Sequence, residues 1–220
     1  ILYVGNRHSA ALHSSLTQLL RDVDGDVDGD VDGAKRGLLT GSRAQLLLAA
    51  DRTALMQEAL AIADLDEVRS LAEYVIHALD GKDPSGDLNG DGQLQMSDDP
   101  VGVRAYLESA RIQMVRVSAL ITATDRTRFY TARALATHEH SLGLIQRATD
   151  KAYQIFSVDT IGEMQPIIAE LEQRLETALY GADRDGNGVI DPMNDEGAIL
   201  ALFAHVARMG EYTIHRRDPG

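Results

Sequence analysis

Apolar residues recur at intervals of three and four along most of this chain. Val68, Leu71, Ala72, Val75 and Leu79 form one series, and Val103, Tyr106, Leu107, Ala110, Met114 and Val117 form a second. A third runs through Ile161, Met164, Ile168, Leu171, Leu175 and Leu179, and a fourth through Ile199, Leu202, Phe203 and Val206. This spacing puts one apolar stripe on each helix and predicts its burial against other helices. A first helix is expected near residues 8–21, and longer antiparallel helices around 41–62, 101–122 and 126–156. Only Ile1-Leu-Tyr-Val4 reads as a strand, and it is too short and isolated to build a sheet. The expected fold is all-α, a helical bundle.

Part of the pattern occurs twice. Leu71 to Gly81 lines up with Leu171 to Gly181 at a constant offset of 100 residues, and each segment ends in a helix-stopping glycine. At the helix starts, Asp64-x-x-Glu67 and Thr160-x-x-Glu163 both read as capping boxes, but their offset is 96. The second helix should therefore be four residues longer, about one turn, which keeps its buried face in phase. The connection after it is correspondingly shorter, so the offset returns to 96 at Asp87 and Asp183. Another helix should begin after each connection, near Gly102 and Gly197.

The connections carry the candidate chemistry. Asp87, Asn89 and Asp91 supply oxygen side chains at positions 1, 3 and 5 of a twelve-residue loop, with Gly92 at 6, the Gln93 carbonyl at 7 and Leu94 at 8. Asp183, Asp185, Asn187, Gly188, Val189 and Ile190 repeat the arrangement. Side-chain oxygens at 1, 3 and 5 with a glycine turn at 6 suit a hard, oxygen-seeking cation. Both segments resemble EF-hand calcium loops, and the first, ending in Ser97-Asp98, is similar to the loops of dockerins, cell-surface cohesin-binding modules. The resemblance covers about a tenth of the chain and implies Ca2+ at both loops. Position 12 departs from the sensor pattern, with Asp98 and Asn194 in place of a bidentate glutamate; Asp99, Asp191, Asp195 or Glu196 can substitute in part. A shorter or neutral twelfth ligand implies weak sites, with dissociation constants on the order of 0.1 to 1 mM.

A further acidic stretch, Asp22 to Gly33, is three copies of Asp-Val-Asp-Gly. An extended segment would line Asp24, Asp26, Asp28, Asp30 and Asp32 along one face, which makes it a candidate third metal site or a solvated acidic loop. It divides an N-terminal part, residues 1–33, from a calcium-stabilised bundle, residues 34–220, within what is expected to be one domain.

Charge and composition narrow the function classes. The formal net charge is −13, which repels nucleic acid and anionic membranes and favours divalent cations. The absence of cysteine excludes disulfides, thiolate metal sites and a cysteine nucleophile. No stretch reaches the roughly 18 to 20 apolar residues of a membrane span. The chain opens at Ile1 rather than Met, as expected of a processed or truncated product, and weak calcium sites favour an exported location.

His138 and His140 project about 200 degrees apart on a helix, so they cannot grip one ion and read as surface residues. His77 and His205, on the loop-flanking helices, read as packing or interface residues. No serine elbow, phosphate loop, dinucleotide fingerprint or haem attachment motif occurs, and no catalytic residue is nominated. The expected function is non-enzymatic: a calcium-binding structural or adhesive module of a cell-surface bacterial protein, partnered by copies of itself or another surface protein. A calcium-responsive switch, and a helical enzyme or haem- or iron-handling protein with purely structural calcium, are the alternatives.

Overall fold

The computed structural model describes residues 7–20, 37–81, 86–120, 123–191 and 196–209. Ile1 to Val4, the Asp22 to Gly33 run, Asn194 and Asp195 lie outside the described residues. Within them the fold is all-α. The helices are α1 (Arg7–Leu20), α2 (Leu38–Ala61), α3 (Leu65–Asp80), α4 (Val103–Ser118), α5 (Asp125–Gln154), α6 (Ile161–Tyr180) and α7 (Ile199–Met209), with a 3-10 turn at Ile155–Ser157.

The paired capping boxes set where α3 and α6 begin. The Asp64 carboxylate accepts the Glu67 backbone N–H at 3.1 Å, and the Thr160 hydroxyl accepts that of Glu163 while donating to its carboxylate. Each interaction satisfies a donor that the first helical turn leaves unpaired. α3 has 16 residues and α6 has 20, the one-turn difference expected from the shifted offsets. Both stop at a left-handed glycine, Gly81 with φ 92° and Gly181 with φ 87°. The turn from α2 into α3 is tighter and holds Ala63 at φ 62°, with Ala63 and Asp64 N–H groups donating to Leu60 and Ala59 carbonyls.

The apolar stripes meet in one core that runs from Leu19 of α1 through Leu46, Val75, Tyr106, Ile145 and Leu175 to Met209 at the end of α7. α2 packs on α3, α4 and α6, while α5 packs on α3, α4, α6 and α7. Gly41 lets α2 approach α4: a Cβ there would overlap the ring of fully buried Tyr106. The Tyr106 hydroxyl finds its partner in the Asp99 carboxylate, at 2.7 Å.

The inner face of α5 is unusually polar. Thr131, Thr137 and Ser141 are buried and return their hydroxyl protons to carbonyls one turn back. His138, expected at the surface, is fully buried. It stands four residues after Ala134 and seven before Ile145, on the buried stripe of α5. Its Nε2–H donates to the Leu107 carbonyl at 2.9 Å, while Nδ1 has no hydrogen bond. Burial holds its pKa below the ordinary histidine value, so the ring is neutral at pH 7.

Candidate metal centre

Each connection folds around its first aspartate. In the first loop the Asp87 carboxylate accepts Gly90 and Gly92 N–H groups at 2.8 and 2.9 Å. Asn89 Oδ1 accepts from Asp91, and Asp91 Oδ1 from Gln93. The second loop repeats the scheme: Asp183 accepts from Gly186, Asn187 and Gly188, Asp185 from Asn187, and Asn187 from Val189. Gly90, Gly92, Gly186 and Gly188 all have φ between 72° and 80°, a region that costs a residue with a Cβ roughly 1–2 kcal/mol. The glycines thus permit the curl that turns three side-chain oxygens inward.

Around each curl a buried carboxylate grips three further N–H groups, a feature that motif reading alone did not reveal. Glu73 of α3 is fully buried, and its Oε2 accepts from Leu88 and Asn89 while Oε1 accepts from Gln95. Glu196 is 1% exposed, and its Oε1 accepts from Arg184 and Asp185 while Oε2 accepts from Asp191. The recipients are loop positions 2, 3 and 9 in both cases. The repeat equivalents of the two glutamates are Gln173 and Pro100, so each loop has one such acid, drawn from a different side.

The acids differ in their neighbours. Carboxylate oxygens of Asp183, Asp185 and Glu196 lie within 4.8 Å of one another, close enough to share one cation. Among the described residues no other three acidic or imidazole groups converge in this way. Asp98 is exposed and does not join Asp87 and Asp91 in such a group. Asp191 sends its carboxylate to Arg133 at 2.8 Å and its N–H to Glu196. Gln93 and Val189 hold their loop places, each N–H closing the turn at position 5.

Electrostatics follow the hydrogen bonds. Donation from Gly188, Gly186 and Asn187 keeps the Asp183 carboxyl below its usual pKa, with the Gly188 N–H contributing most. The N–H groups of Asp191, Arg184 and Asp185 do the same for Glu196. Both groups are therefore ionised at neutral pH, ready to act as hard oxygen donors. With only carboxylate, amide and carbonyl oxygens on offer, the donor set fits a calcium- or magnesium-like ion and not a thiophilic one.

Each loop is closed at its base by a backbone contact. Gly81 lies against the Pro100 carbonyl and the Gly102 backbone, and Gly181 lies against the Glu196 carbonyl, which accepts the Ala182 N–H. Arg104 at the start of α4 binds Asp80 at the end of α3, and His77 Nδ1 meets the Gln95 carbonyl at 2.7 Å. His77 is therefore a packing residue that ties α3 to the first loop. Comparisons of the whole chain with protein-family models, curated proteins and solved structures find no match.

Proposed function

We propose that this chain is a calcium-stabilised, non-enzymatic helical module that serves a structural or adhesive role in an exported cell-surface protein. The observation that carries the reading is the convergence of Asp183, Asp185 and Glu196 inside a loop whose turns already point oxygens inward. In the second site Asn187 and the Val189 carbonyl complete the protein ligands. In the first, Asp87, Asn89, Asp91 and the Gln93 carbonyl bind a second ion with fewer charges and more water. Bound calcium would neutralise carboxylates clustered at the corners between α3 and α4 and between α6 and α7. It would therefore add directly to the stability of the fold.

No helix among the described residues is long and apolar enough to cross a membrane, which agrees with a module that does not insert. Millimolar-range sites would be filled outside a cell and empty in the cytosol, which is the ground for the exported location.

Isothermal titration calorimetry tests the reading. Two sites are expected, with the second tighter; Asp183→Ala should abolish that site and Asp87→Ala the other. Failure of the unaltered chain to bind calcium at millimolar concentration would overturn it.

A further inference from the structure

Asparagine, one of the thermolabile residues, precedes glycine twice in this chain, at Asn89-Gly90 and at Asn187-Gly188. Both pairs lie inside the oxygen-lined loops. In such a pair the side-chain amide carbon can meet the next backbone nitrogen, because glycine has no Cβ to block the approach. A Cβ at Gly90 or Gly188 would have no heavy atom within 4 Å apart from the adjacent residues, so both turns are open to water.

The loop backbone treats the two pairs alike. Gly90 N–H donates to Asp87 at 2.8 Å, and Gly188 N–H donates to Asp183 at 2.7 Å. Each asparagine Oδ1 accepts the N–H two residues further on, from Asp91 in one loop and Val189 in the other.

The tethers of the asparagines differ. Asn89 is half-buried and bound to α3: its Nδ2 donates to the Ser70 hydroxyl at 3.0 Å, and its backbone N–H donates to fully buried Glu73. Turning its Cγ towards the Gly90 nitrogen breaks the bond to Ser70 where water is poorly placed to replace it. Asn187 is exposed, and its bonds stay within the loop. Its Nδ2 donates to Asp185 at 2.8 Å, and its backbone N–H donates to Asp183 and Asp185, all in the exposed stretch 183–190. Water readily replaces bonds lost there.

We propose that Asn187 is a site of spontaneous modification, converted to aspartate or isoaspartate in preference to Asn89. The Gly188 nitrogen attacks Asn187 Cγ and gives its proton to solvent. The Cγ–Nδ2 bond breaks, ammonia leaves with a proton taken from water, and a cyclic imide remains. Water then cleaves one of the two imide C–N bonds. Cleavage at Cγ leaves aspartate, and cleavage at the main-chain carbonyl leaves isoaspartate, with Gly188 joined through Cγ. No enzyme, metal or oxidant enters. Isoaspartate adds a methylene to the main chain at position 5 of the second loop and moves Gly188 off the turn that Asp183 closes, so ageing marks one loop and spares the other.

Peptide mapping by mass spectrometry, on the folded chain aged in mildly alkaline buffer with chelator, tests it. Peptides containing Asn187 should show amide-to-acid conversion at least fivefold faster than those containing Asn89, and should separate into aspartate and isoaspartate forms. In urea, where the tethers are gone, the two rates should converge. Ser70→Ala, with helical circular dichroism unchanged, should release Asn89 and speed its conversion in the folded chain. Equal rates in the folded chain, faster conversion at Asn89, a preference that persists in urea, or a folded Ser70→Ala variant that leaves Asn89 no faster would overturn the proposal. Chelator keeps ions from both loops throughout, so these results are independent of calcium binding, and failure to bind calcium would leave the proposal standing.

Discussion

Glu73 and Glu196 hold the same three positions of two different loops while entering them from opposite sides. Glu73 arrives from the helix before its loop and Glu196 from the segment after it, yet each binds the N–H groups at positions 2, 3 and 9. Only Glu196 also approaches two loop aspartates. The two should respond differently to substitution. Glu196→Gln should lower calcium affinity at the second site tenfold or more in calorimetry. Glu73→Ala, which strands three N–H groups, should lower stability by about 2–4 kcal/mol in denaturant titrations with both calcium sites still titrating. Equal loss of calcium binding in the two variants would contradict this division.

Metal removal should be felt by the whole bundle. A ligand that binds only the native state adds about 2.7 kcal/mol per site at a hundredfold excess over its dissociation constant. Thermal melts in millimolar calcium and in chelator should therefore differ by several degrees, and Asp87→Ala/Asp183→Ala should erase the difference. If chelation left the melt unchanged but exposed a dye-binding groove, the module would be a switch.

Buried His138 makes stability depend on mild acid. Its folded pKa lies below the ordinary 6.5, so the unfolded chain takes up the proton first. The stabilisation is complete above pH 6.5 and is lost as pH falls through the lower, folded value. Asp183 and Glu196, also depressed, add a further loss that begins as pH enters the usual carboxylate range and continues to their lower folded values. His138→Gln should flatten the first phase and leave the second. Denaturant midpoints between neutral pH and about pH 2 would show both phases, and an unchanged first phase would shift the effect to His205.

Ala63 offers a stabilising change. It occupies a left-handed conformation at the end of α2, where glycine has no steric penalty. Ala63→Gly should raise stability by about 0.5–1 kcal/mol, after the extra flexibility of the unfolded chain is counted. A drop in the melting temperature would show that the turn is not strained.

The helical fold was legible because apolar periodicity reports directly on which faces are buried. The one-turn difference between α3 and α6 followed from nothing more than two offsets in the sequence. Asp87, Asn89, Asp91 and their counterparts were legible because a tight oxygen-lined turn needs short polar side chains and glycine at fixed places. Glu73 was not, because a carboxylate between Ala72 and Tyr74 reads as solvent-facing until the loop N–H groups that neutralise it are in place. His138 was hidden for a similar reason: its neighbour Glu139 made the local stretch look polar, although its spacing from Ala134 and Ile145 put it on the buried stripe. The grip of Arg133 on Asp191 was beyond reach, since those residues meet only through the packing of α5 against the second loop.

The closure at Gly81 and Gly102 has a consequence for how such a molecule could arise. Where the chain leaves α3, it already touches the place where it will enter α4, and Gly181 stands in the same relation to Glu196. Each oxygen-lined loop is thus an outgrowth whose two roots meet beneath it. A loop of this kind can change in length with little disturbance to the helices that bear it, provided the anchoring glutamate still meets its three N–H groups. That separation explains how two copies could keep identical turns while recruiting their anchoring glutamates from opposite directions, each bundle corner solving the same problem with whatever neighbour stood nearest.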